Sequence, residues 1–198
     1  MTLPRFYPVL DSADWVGRAV RQGVRLVQLR IKDRPDEVLR SQIAAALAVC
    51  RGAGAELVVN DHWQLALELG APWVHLGQED LDGADLGAIR RAGLRIGMST
   101  HDWAELQRAL ALAPDYVALG PIYPTILKQM PWAPQGLARL RDWKARAGSV
   151  PLCAIGGMSV ERASAAFDAG ADLVAAVTDI TLHPDPDARM RAWLKVCE

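Results

Sequence analysis

Eight short apolar runs alternate with eight segments of helical periodicity, and this alternation restricts the chain to parallel α/β architectures. The runs, read as strands, fall at 6–10, 25–30, 56–60, 73–76, 94–99, 116–120, 151–155 and 172–177. Helices are predicted near 14–23, 35–52, 61–69, 84–92, 102–112, 134–147, 159–169 and 185–197. Ser12, Asp14, Asp102 and Ser159 stand where helices begin and can cap them. Gly23, Gly70, Gly93 and Gly170 each follow a helical pattern, where a left-handed residue often closes the last turn. Eight β–α units in 198 residues predict one (β/α)8 TIM barrel over 1–198, with no linker or low-complexity tract. A doubly wound open sheet is the other candidate. The turn after the first strand, Asp11-Ser12-Ala13, lacks the glycines that class carries there.

In such a barrel the C-terminal strand ends converge on one face, so those ends are where chemistry is sought. The second strand runs into Gln28-Leu29-Arg30-Ile31-Lys32-Asp33. Arg30 and Lys32 are two apart, so on an extended chain they point the same way. Like charges on one face become favourable around an anion, for which arginine offers a bidentate fork and lysine a point charge. The plainer alternative is a solvated surface pair. The third strand ends in Asn60-Asp61 and the fourth in His75-Leu76-Gly77-Gln78-Glu79-Asp80. Two carboxylates on neighbouring strand ends suit a hard divalent ion such as magnesium, with water and phosphate completing its shell. Asp61 also fits as a helix cap, and Asp80 as a plain loop acid.

The later strand ends carry Ser99-Thr100-His101, the 120–128 loop with Lys128, then Gly156-Gly157 and Val177-Thr178. Loops after strands 7 and 8 of this fold often hold phosphate, and glycine lets backbone amides approach it. Gly156-Gly157 also reads simply as a tight turn. Two anion sites, one with metal ligands, suit two phosphorylated substrates, one of them losing diphosphate. No nucleophile–base pair is evident. His75 sits within an apolar strand and reads as a satisfied or site-lining residue, and His183 reads as exposed.

Composition narrows the partners. The net charge of −1 argues against a broad nucleic-acid surface. No apolar run approaches the ~18–20 residues of a membrane span, and 1–8 lacks an apolar signal core. Cys50, Cys153 and Cys197 fit no zinc spacing and read as free thiols in a reducing cytoplasm. The seven tryptophans read as core and helix-packing residues.

Together these segments resemble the thiamine-phosphate synthase family over nearly the whole chain. The resemblance rests on Tyr7-Pro8-Val9, Gln28 to Asp33, Val59-Asn60-Asp61, Val74 to Asp80, Ser99-Thr100-His101, the Gly120–Lys128 loop, Gln135-Gly136, Ala154-Ile155-Gly156-Gly157 and Val177-Thr178. It implies a cytoplasmic transferase that joins a hydroxymethylpyrimidine diphosphate to a thiazole phosphate and releases diphosphate by a dissociative route. By position, it implies that Gln28, Leu29, Arg30, Ile31, Lys32 and Asn60 bind the pyrimidine diphosphate, with Arg30, Lys32 and Lys128 on its phosphates. Ser99 would contact the pyrimidine. Asp61 and Asp80 would hold Mg2+. Thr125, Ile126 and Leu127 would line the thiazole side, and Gly157, Val177 and Thr178 would hold its phosphate. The implied partners are small phosphorylated molecules, not nucleic acid or membrane, with homo-oligomerisation left open. One departure stands out: Leu127 occupies the place of a usual threonine, which is the one support for a non-catalytic binding barrel, while the related thiazole tautomerase is a second alternative that the Arg30, Lys32, Asp61 and Asp80 set argues against.

Overall fold

A computed structural model describes residues 3–126 and 132–198. Its strands are β1 (Phe6–Leu10), β2 (Leu26–Leu29), β3 (Glu56–Asn60), β4 (Trp73–Leu76), β5 (Arg95–Thr100), β6 (Tyr116–Leu119), β7 (Leu152–Ala154) and β8 (Leu173–Ala176). They close in chain order into a parallel barrel, with β8 returning to β1 through Phe6–Val174 and Tyr7–Ala175 pairs. The helices are α1 (Ala13–Arg21), α2 (Asp36–Ala53), α3 (Trp63–Glu68), α4 (Leu86–Arg91), α5 (Trp103–Ala111), α6 (Gly136–Ala147), α7 (Val160–Asp168), α8 (Thr178–Thr181) and α9 (Pro186–Val196).

Side-chain alternation along each strand divides the core in two. Outward residues such as Leu29, Val59, Val74, Met98 and Val117 meet the helices in one large apolar layer. Inward residues Tyr7, Val9, Leu26, Val58, Trp73, Tyr116, Ala118, Cys153, Leu173 and Ala175 fill the barrel. The outer layer is fed by helix faces such as Leu39, Ile43, Ala46, Leu47 and Cys50 of α2, whose spacing follows the helical repeat. Gly97 has no Cβ because the ring of its β6 neighbour Tyr116 occupies that space.

The predicted caps are realised unevenly. Ser12 accepts from the Trp15 amide and Asp102 from the Glu105 amide, whereas Ser159 begins α7 without a side-chain capping bond and Asp14 lies inside α1. Gly23, Gly70, Gly93 and Gly170 all take positive φ just past their helices. Helix α3 starts two residues later than its periodicity suggests, because Asp61 adopts a left-handed φ of 62° that cannot begin a right-handed helix. His62 is the residue that flanks α3, so Asp61 is not its cap. The 3₁₀ turn Asp80–Asp82 and the single turn α8 were not foreseen, since three or four residues are too short to show a period. Cys50, Cys153 and Cys197 are free thiols. His183 is half-buried rather than exposed, its ring bonded locally to Asp185.

Candidate active site

The inward parity that fills the barrel also selects what lines its mouth. Gln28, Asn60, His75 and Ser99 alternate in register with the interior residues Leu26, Val58, Trp73 and Gly97. Arg30 continues the same face, its amide still laddered to the Leu10 carbonyl at 2.7 Å. The opposite parity sends Leu29 and Ile31 into the outer apolar layer. Those two therefore have only backbone groups to offer a ligand at the mouth. Thr100 likewise points outward, bonded to the Ala118 carbonyl and the Trp143 indole.

Asp61 and Asp80 meet at the mouth. The left-handed turn at Asp61 is fixed by its amide, which donates to the His75 carbonyl at 2.9 Å. Asp80 is carried by the 3₁₀ turn and accepts from the Gly77 amide at 3.1 Å. The two carboxyl groups lie within hydrogen-bonding reach of each other. Burial first, and then the charge of Asp61, push the Asp80 carboxyl above its ordinary value. Lys32 reaches in to 3.2 Å from Asp61 while remaining half exposed. An acid pair held by backbone geometry, with one lysine on its rim, fits a hard cation. Among the described residues no third carboxylate, histidine or cysteine joins them. The remaining coordination would fall to water and a phosphorylated ligand, as magnesium prefers.

Beneath the mouth lies a polar column. Gln28 Nε2 donates to Tyr7 Oη at 2.7 Å, Tyr7 Oη lies 2.7 Å from Tyr116 Oη, and Tyr116 Oη lies 2.7 Å from His75 Nδ1. His75 Nε2 is 2.8 Å from Ser99 Oγ. Burial is the main reason the His75 imidazole is pulled down to about 4, with Arg30 and His101 adding to the fall. His75 is thus a satisfied, neutral interior residue near neutral pH. Burial likewise lifts both phenols above their ordinary range.

On the far side of the mouth, Gly156 and Gly157 take φ of 91° and 63°. A Cβ on Gly157 would strike the Pro124 carbonyl, and one on Gly156 would lie 2.6 Å from Pro121 Cα. The loop after β7 is therefore packed directly on the loop after β6, and Arg162 ties them by bonding the Gly157 carbonyl and covering the Tyr123 ring. Thr125 is half-buried there and Ile126 is 82% exposed. Leu127 and Lys128 lie outside the described residues. Val177 and Thr178 open α8, which is anchored from behind by Asp179 through Arg189 and the Trp193 indole. Trp132 stacks on His101 at 5.6 Å and Trp103 on Trp143 at 3.9 Å.

The residues that sequence reasoning missed are Tyr7 and Tyr116. Their signal was available: both share inward parity with Gln28 and His75, and a buried phenol needs a partner.

Comparison with known proteins gives one consistent family. The family model for thiamine monophosphate synthase matches residues 6–180. A thiamine-phosphate synthase of Rhizobium etli is 61% identical, the match covering 98% of this chain and 95% of that one. One from Serratia proteamaculans is 52% identical over 97% of this chain and 91% of its own. A solved thiamine phosphate pyrophosphorylase from Pyrococcus furiosus superposes with a TM-score of 0.86 at 25% identity, covering 98% of this chain and 95% of that one.

Proposed function

The chain belongs to the thiamine-phosphate synthase family, and from that premise we propose how its residues divide the work of the reaction. The activity is the transfer of a pyrimidine-methyl group from its diphosphate to a thiazole phosphate, with thiamine phosphate and diphosphate as products. The carrying observation is the meeting of Asp61 and Asp80 beside Lys32 at the mouth of the barrel.

Arg30 and Lys32 hold the diphosphate, with Asn60 and Lys128 as its further ligands. Asp61 and Asp80 hold Mg2+, which when bound would offset the charge of the departing diphosphate. The fixed cations Arg30 and Lys32 stabilise the same developing charge without reorganising. Loss of diphosphate first, leaving a ring-stabilised cation, fits a site whose described residues include no nucleophile–base pair. His75 supports this reading, being neutral and bonded at both ring nitrogens. Ser99 addresses the pyrimidine ring. Gly157, Val177 and Thr178 take the thiazole phosphate through backbone amides, with Thr125, Ile126 and Leu127 along that side. The backbone amide of Ile31, beyond the end of β2, completes the diphosphate cradle. Three free thiols fit a cytoplasmic setting, and no described helix is long and apolar enough to cross a membrane.

The test is diphosphate release from the two substrates with and without magnesium. Magnesium-dependent release with thiamine phosphate formed is the expected result. Release that ignores magnesium would remove Asp61 and Asp80 from the metal role.

A further inference from the structure

The polar column has a direction, and the direction carries information. Each phenol owns one proton, and an imidazole with one ring proton can donate from only one nitrogen. Gln28 Nε2 is a donor only, so Tyr7 Oη accepts from it. The single Tyr7 proton then has Tyr116 as its remaining partner, and Tyr116 must pass its own proton to His75 Nδ1. His75 therefore carries its proton on Nε2 and donates to Ser99 Oγ. The Ser99 hydroxyl proton is left over for whatever sits in the mouth. With Gln28 Nε2 facing Tyr7, any other wiring strands a buried donor or sets two protons against each other.

The opposite wiring exists only as a whole. If the Gln28 carbonyl oxygen faced Tyr7, every link would reverse, and Ser99 would donate inward and show lone pairs to the mouth. The amide orientation of Gln28 and the character of Ser99 are thus the two ends of one chain. We propose that Tyr7, Tyr116 and His75 are positioning residues of a one-way relay that fixes Ser99 as a donor and Gln28 Oε1 as an acceptor, and so selects a 4-aminopyrimidine over its 4-oxo counterpart. This rests on the thiamine-phosphate synthase reading. A 4-aminopyrimidine offers an exocyclic N–H beside a ring-nitrogen lone pair, which matches acceptor and donor. The 4-oxo ring in its N3–H form offers the inverse pair, and accepting it requires all five side chains to reverse together.

Two readouts decide it, both in Tyr116→Phe and Tyr7→Phe, which keep ring volume but remove a link. The first is the ring 15N spectrum of His75, assigned by its loss in His75→Asn. The wild-type ring is protonated at Nε2, and Tyr116→Phe removes that preference; a wild-type ring protonated at Nδ1 overturns the relay. The second is the dissociation-constant ratio of 4-oxo to 4-amino hydroxymethylpyrimidine diphosphate. The wild type favours the amino ring by about 100-fold or more, because the oxo ring would leave two polar groups of the site unpaired. Both phenylalanine variants bring the ratio below ~10 while diphosphate binding persists. An unchanged ratio in both variants overturns the proposal. Binding of neither ring sinks the function it rests on, and with it the selectivity, while the imidazole spectrum still decides the wiring.

Discussion

The two ends of the barrel carry similar residue types but arrange them oppositely. At the N-terminal end, Glu56 accepts from the Trp73 indole at 2.7 Å and pairs with Arg95, whose guanidinium lies 4.0 Å over the Trp73 ring. Asp115 there accepts from the Ile96 amide at 2.7 Å. These groups edge a cavity of about 370 Å3 whose polar walls are already matched to each other. At the C-terminal end, Asp61 faces Asp80, a like charge, on left-handed backbone. One end satisfies its charges internally, which serves stability. The other leaves like charges together, which costs stability and leaves work for a ligand.

The largest way to break this contrast is to truncate a carboxylate at each end. Asp61→Ala or Asp80→Ala should lower kcat about 10²–10³-fold, the usual scale for losing one group aimed at developing charge. Thermal stability should hold, because an acid facing an acid contributes little to the fold. Glu56→Ala should do the reverse. It strands the Trp73 indole and removes the Glu56–Arg95 pair, costing about 1–3 kcal/mol of stability with kcat unchanged. A calorimetric melt beside a steady-state assay checks both. If Glu56→Ala lowered kcat as far as Asp61→Ala, the two ends would not be functionally distinct.

A smaller effect falls on the turn at Gly157. Alanine there must hold φ of 63° and also displace the Pro124 carbonyl. A loss of about 1–3 kcal/mol is expected from backbone strain alone. KM for thiazole phosphate should rise more than KM for the pyrimidine diphosphate, since Arg30 and Asp61 stand on other loops. An equal rise in both constants would detach this turn from the thiazole side.

These contrasts explain what the sequence could and could not disclose. Strand and helix order was legible because inward and outward positions alternate over whole elements, as from Leu26 to Leu29 or across α2. Arg30, Lys32, Asp61 and Asp80 were legible because charges at the ends of buried strands are costly without a task. The start of α3 was not, because nothing in Asn60-Asp61-His62 announces a left-handed aspartate. The Tyr7–Tyr116 contact was half legible: inward parity marks both rings, but they stand 109 residues apart and no local pattern pairs them. What the contiguous motif Gln28 to Lys32 did not disclose is which of its side chains face the mouth. Alternation allows only every second residue of it to face the mouth.

The finest test concerns the acid pair itself. The Asp80 carboxyl sits above its ordinary value of 3.8, so the folded protein holds that proton more tightly than the unfolded chain. By linkage, the Asp80 contribution to stability is complete below the unfolded value and falls as pH rises through the folded one. Asp80→Asn keeps an oxygen for the Gly77 amide but removes the repulsion from Asp61. Without magnesium at pH 7 the variant should melt higher than the wild type, by about 2–4 °C for each kcal/mol relieved. Once the pH falls below the raised folded-state value the gap should close, because the native carboxyl is then protonated. Added magnesium should raise the wild-type melt and leave the variant nearly unmoved, since one ligand of the pair is gone. Melts over pH 4–7 with and without magnesium read all three effects. A wild type that equals Asp80→Asn at pH 7 and ignores magnesium would mean that the two carboxylates do not oppose each other, and the contrast between the ends of the barrel would lose its physical basis.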